Sequence, residues 1–159
     1  MSGYSWSVPS AGPATGTSAA ERATQRDKLW GRDLWLDVRV AGADVVTTAR
    51  GDLALTEGEE ALIQALIRRI ITAPGEWATL PNYGAGARLY VKARKNRATI
   101  DELVERIRSQ CAAEPRVERV QAVSVESTDD GAGLKINVLV IPRGRVLPTR
   151  GIGFSLEVN

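Results

Sequence analysis

The sequence predicts an α+β domain in which two main helices pack on a small, mostly antiparallel sheet. Three observations carry this. Leu62, Ile63, Leu66, Ile67, Ile70 and Ile71 recur at helical spacing near the middle of the chain. Ile100, Leu103, Val104, Ile107 and Cys111 form a second, narrower apolar stripe. Downstream, Val117 to Glu126, Leu134 to Ile141 and Phe154 to Val158 read as strands, with apolar and polar residues alternating in the last two.

Taken in order, Met1 to Ala20 is rich in Ser, Gly, Ala, Thr and Pro and lacks any period, which predicts a flexible tail. Tyr4 and Trp6 are aromatic exceptions that suit docking onto a neighbour. Glu21 to Lys28 is charge-dense and suits either a short helical lead-in or a linker. Residues 1–30 are therefore expected to be tail and linker, and residues 31–159 one domain. Leu34 to Val40 reads as a strand, Ala41 to Asp44 as a turn and Val45 to Thr48 as a return strand.

The central helix has a start signal in Thr56 and Glu59, spaced as a capping box, and a stop signal in Pro74-Gly75. Its apolar residues cover about half the circumference, wider than a surface stripe, so cover on two sides is expected. Gln64, Arg68 and Arg69 fall on a polar edge. Gly75 to Gly86 is a loop with turn chemistry, in which Trp77, Leu80 and Tyr83 are candidate anchors to the core. Thr99 and Glu102 are a second possible capping box, and Glu102 and Arg106 stand in the favourable order for an ion pair four apart. Glu114-Pro115-Arg116 breaks the second helix. Thr128 to Gly133 is a hairpin loop, and Pro142 ends the strand after it.

Composition excludes several functions. A net charge of +2 with 25% charged residues and 5% aromatics supports neither duplex nor single-strand nucleic-acid binding. The lone cysteine, Cys111, precludes an internal disulfide, and its place on the apolar stripe suits a small packing residue. Without histidine there is no His-based triad, metal site or pH switch. No run reaches membrane-spanning length and no signal-peptide blocks stand at the start, so synthesis in the cytoplasm is expected.

No catalytic, cofactor or metal residues emerge. A glycosidase needs two carboxylates about 5–9.5 Å apart, one of them with a raised pKa. Glu57, Glu59 and Glu60 sit at a helix start, where capping and the helix dipole explain them. Asp101, Glu102 and Glu105 have the same explanation, and Asp129 and Asp130 fall in a hairpin loop. Gly84-Ala85-Gly86 lacks the Lys-Ser or Lys-Thr of a phosphate loop. The basic run Arg94-Lys95-Asn96-Arg97 reads as a solvated loop.

Five pieces in this order, GDLAL before the central helix, the apolar helix itself, APGEW and PNYG after it, and then Glu114-Pro115-Arg116, resemble the contractile-tail baseplate wedge family. That family includes the phage T4 gene 25 product, with relatives in R-type pyocins, extracellular contractile injection systems and type VI secretion. The resemblance covers roughly Leu34 to Ile141. It implies a structural sheath initiator in the baseplate of a phage tail, tailocin or injection system, with six copies around the tube and no cofactor. It implies as partners the sheath protein, larger wedge subunits, and tail tube or hub proteins, with neither nucleic acid nor membrane. It also implies that Glu114, Pro115 and Arg116 help hold the chain in the wedge core, beside their local reading as a helix terminator.

The sheet would carry sheath strands by strand exchange. Leu134, Ile136, Val138, Val140, Phe154, Leu156 and Val158 are the expected contact residues, with the terminal strand able to join a neighbour's sheet. One family member has carried a lysozyme label, which keeps a peptidoglycan hydrolase as an alternative. A free-standing adaptor that binds peptide strands is another.

Overall fold

The computed structural model describes residues 31–39, 42–93, 96–128, 131–143 and 151–158. Residues 1–30, which the sequence predicts as tail and linker and which include Tyr4 and Trp6, lie outside them. So do Val40-Ala41, Arg94-Lys95, Asp129-Asp130 and the basic connector from Gly144 to Arg150.

The fold is α+β. Strands β1 (Arg32–Leu34), β2 (Leu36–Arg39), β3 (Gly42–Val45) and β4 (Leu55–Glu57) precede helix α1 (Gly58–Ile71). A short helix α2 (Ala87–Val91) and the long α3 (Arg97–Ala112) follow, and then β5 (Val117–Ser127), β6 (Leu134–Pro142) and β7 (Ile152–Val158). All pairings are antiparallel: β1 with β4, β2 with β3, and a three-stranded sheet in the order β5–β6–β7.

The core lies between that sheet and the helices. Along the sheet, Val125, Ile136 and Leu156 stand in one row and Val123, Val138 and Phe154 in the next, all turned to the core. The intervening rows, Glu126–Lys135–Glu157 and Ser124–Asn137–Ser155, occupy the opposite face, as the period of two requires. Leu103, Ile107 and Cys111 bury one stripe of α3. Helix α1 is buried continuously from Ala61 to Ile67 and touches β1 and β4 as well as α3 and β7, which is the two-sided cover its wide apolar face predicts.

Several local expectations are corrected. The first strand breaks at Trp35, whose N–H donates to Ala54 and whose carbonyl accepts from Val46. The chain changes partner there, from β4 to β3. Gly42 to Asp44 belong to the return strand rather than a turn. The capping box at Thr56 and Glu59 does not form. Thr56 is spent in β4 opposite Asp33, and Glu57 precedes the helix without a side-chain cap. Helix α3 starts two residues early because Asn96 caps it: its Oδ1 accepts from the Thr99 N–H at 2.9 Å. Glu102 instead accepts from Tyr90 and pairs with Arg106 at 3.2 Å.

Trp77 and Leu80 do not pin the loop after α1, being 50% and 47% exposed. Main-chain bonds hold it: Ala85 N–H to Arg69 O at 2.7 Å and Gly86 N–H to Thr72 O at 2.8 Å. Gly84 makes this approach possible. Its φ is +103°, and a Cβ there would stand 2.2 Å from Thr72 O.

Candidate assembly site

The junction between α3 and β5 places Glu114, Pro115 and Arg116. The Glu114 N–H donates to Cys111 O and its carbonyl accepts from Val117, so the helix closes directly into the strand. Glu114 is only 6% exposed. Its Oε1 accepts from Arg116 Nε at 2.6 Å and its Oε2 from Arg69 Nε at 3.2 Å. Burial alone would push this carboxyl up. The hydrogen bond and charge of Arg116, followed by those of Arg69, outweigh burial and hold it below the ordinary glutamate value. Pro115 is exposed, and the Arg116 carbonyl accepts from Arg143 at 2.8 Å, which ties the end of β6 to the junction.

The cluster extends beyond the tripeptide. The Arg69 guanidinium carbon lies 4.7 Å from the centre of the Tyr83 ring, and Tyr83 stacks on Trp77 with centroids 5.3 Å apart. Burial pushes the Tyr83 hydroxyl up, against the lowering charges of Arg69 and Arg68. The result is a continuous layer from Arg116 through Glu114, Arg69 and Tyr83 to the half-exposed Trp77. Arg69 is the residue that sequence reasoning missed, because its position marked only a polar edge. That edge is not wet: Gln64 is buried, Arg68 pairs with Asp33, and Arg69 pairs with Glu114.

The strand residues are placed differently from the junction. Leu134, Ile136, Val138, Val140, Phe154, Leu156 and Val158 are all buried in this chain's own core. They pack β6 and β7 onto the helices. What β7 presents is its main chain, since among the described residues no strand pairs with its side opposite β6.

Little here suits catalysis. Glu114, the one buried carboxylate among the described residues, is held ionised by two guanidiniums, the opposite of what a general acid needs. Glu57 is half-exposed and pairs with Arg32 at 2.8 Å, and Asp101, Glu102 and Glu105 line the wet face of α3. Burial raises the Cys111 thiol to about 12, which suits a packing residue rather than a nucleophile. No group of three Cys, Asp or Glu among the described residues is placed to hold a metal ion.

Comparison with known proteins gives two kinds of likeness. No curated protein matches the chain. Among solved structures, a chain from the cryo-EM structure of the anti-feeding prophage baseplate, 6-fold symmetrised, is similar with a TM-score of 0.53 and 20% identity. The alignment covers 64% of this chain and 82% of that one, and it supports the fold. A putative tail lysozyme from Geobacter sulfurreducens aligns with a TM-score of 0.49 and 21% identity, over 73% of this chain and 93% of that one. The sequence model of contractile injection system sheath initiators matches residues 32–142, which includes the Glu114–Arg116 junction and ends before β7. With most of its length matched, the chain belongs to the contractile injection system sheath initiator family.

Proposed function

We propose that the chain works by assembly alone: it sits in the baseplate wedge, contacts larger wedge subunits through the Glu114–Arg116 junction, and seeds the first sheath ring on its three-stranded sheet. The observation that carries this reading is the family match across residues 32–142, with the junction inside it. A structural role in the baseplate, among other baseplate and sheath components of a contractile particle, follows from the family itself.

The finer reading rests on chemistry. Pro115 is exposed and the Arg116 side chain is a quarter exposed, so this corner can meet a partner while Glu114 keeps its geometry from below. The main-chain edge of β7 is where a sheath strand adds by ordinary ladder hydrogen bonds, with the buried Phe154, Leu156 and Val158 fixing the template. Residues 1–30 serve as tail and residues 31–159 as the wedge domain. Six copies surround the tube, in contact with tube or hub proteins, after synthesis in the cytoplasm. The chain catalyses nothing and uses no cofactor.

The test is isolation of native particles through a tag on this chain, followed by mass spectrometry with copy-number standards. Recovery of wedge, hub and sheath proteins at six tagged chains per particle is expected. Recovery without sheath or wedge proteins contradicts the proposal. Clearing of purified peptidoglycan by the isolated chain, abolished by Glu59→Gln or Glu102→Gln, would restore the hydrolase alternative.

A further inference from the structure

Two exposed patches on this chain each join apolar surface to charge of one sign. The first is the outer face of the β1–β4 pair. Asp33 and Thr56 stand opposite each other on the inner face, where Asp33 pairs with Arg68 of α1 and Thr56 is buried. The period of two turns the next pair, Leu34 and Leu55, outward. Leu55 is more than half exposed, and so is Leu53, two residues before it. Asp52 beside them is exposed as well. From Gly31 to Glu60 the chain carries seven carboxylates against three arginines.

The second patch lies on the loop after α1 and on α2. Leu89 is 63% exposed, the most of any large apolar residue among the described residues. It stands beside Pro74 over Gly86, where a Cβ would meet both. The Gly75 N–H donates to Pro81 O at 2.9 Å and the Leu80 N–H to Trp77 O at 3.0 Å, so the half-exposed Trp77 and Leu80 belong to the same folded loop. From Trp77 to Ile100 the chain carries five cations and no carboxylate. Arg88 lies within α2, and the exposed Lys92 caps its end.

Exposed apolar clusters of this kind mark interaction surfaces. Their opposite charges make the two patches complementary to each other. Both remain exposed in the same molecule, so neither covers the other within one chain. Each can be covered by the other patch of a second copy, a heterologous contact that joins copies head to tail.

We propose that the Leu34, Leu53 and Leu55 face of one copy docks on the Trp77, Leu80 and Leu89 face of a second copy, acidic side to basic side. This contact uses neither Arg116 nor the β7 edge, and it stands independently of the sheath role. Patches of a few residues give a small interface, so the association is weak and reversible.

The experiment is sedimentation equilibrium of the full chain from about 10 μM to 1 mM. The average mass should rise with concentration at low salt, and the rise should shrink in about 0.5 M sodium chloride. Leu55→Ser and Leu89→Ser change exposed side chains, and each alone should weaken association tenfold or more while native spectra are kept. Mixed together, the two variants should form one-to-one dimers with the affinity of the natural chain, because each retains the face that the other lacks. A natural chain that is monomeric throughout overturns the proposal. So does either variant that associates as the natural chain does, a mixture without dimers, or an association that salt does not weaken.

Discussion

Arg69 and Glu114 meet at 3.2 Å across the interface of α1 and the end of α3, and the same Arg69 lies over Tyr83. One arginine thus ties the central helix, the loop after it and the helix-to-strand junction into a single unit. Both side chains are mostly buried, which makes this ion pair different in kind from the exposed pairs along α3.

Glu114→Gln should therefore act as a core mutation. Loss of the charge leaves Arg69 buried beside a neutral amide, and a destabilisation of about 2–4 kcal/mol is expected from equilibrium denaturation at pH 7. The pH dependence follows from the direction of the shift. The folded carboxyl is held below its ordinary value, so its stabilisation is complete above that value and is lost as pH falls through the folded pKa. The gap between the natural chain and Glu114→Gln should be wide at neutral pH and shrink once the pH drops below about 4.5. A gap unchanged down to acid would mean that the pair contributes nothing.

Arg116→Ala should separate assembly from folding. Glu114 keeps Arg69 but its Oε1 loses the nearer partner, so a cost of about 1–3 kcal/mol is expected in denaturation. Incorporation of the variant into baseplates, measured by quantitative mass spectrometry of particles, should be lost. Normal incorporation would remove the junction from the wedge contact.

Gly84→Ala tests how the loop is held. A methyl group would overlap Thr72 O in a backbone conformation that L residues rarely adopt, and a loss of about 3 kcal/mol or more is expected. Gly75 also has positive φ, +80°, but faces open space, so Gly75→Ala should cost only about 1 kcal/mol. Equal effects in thermal denaturation would show that the close approach to Thr72 carries no weight.

Removal of Gly153 to Asn159 should unfold the domain rather than trim an appendage. Phe154, Leu156 and Val158 are buried, and each contributes about 1.5–3 kcal/mol, together comparable to the stability of a small domain. Loss of near-ultraviolet dichroism and of dispersed amide resonances is expected. A truncated chain with native spectra would show that β7 is a detachable strand.

The elements legible in the sequence were those whose signal is local. The apolar periods of α1 and α3 and the alternation of β6 and β7 reflect burial on one face, which each segment records by itself. Thr56 was misread because a threonine before an acidic turn suits a helix cap as well as a strand, and only pairing with the distant Asp33 decides between them. Arg69 was opaque for a related reason. Its position on α1 gives a direction, while the carboxylate that awaits it comes from the far end of α3. The Glu114-Pro115-Arg116 motif was visible as letters, but the burial of Glu114 was not, since charge in sequence ordinarily signals exposure.

The central claim, that this chain starts the sheath, is tested most directly by electron microscopy of particles made without it and with the natural chain restored. The account predicts that particles lacking the chain have no sheath anchored at the baseplate, and that restoration returns sheaths of normal length. Normal-length sheaths seated on baseplates in its absence would contradict it.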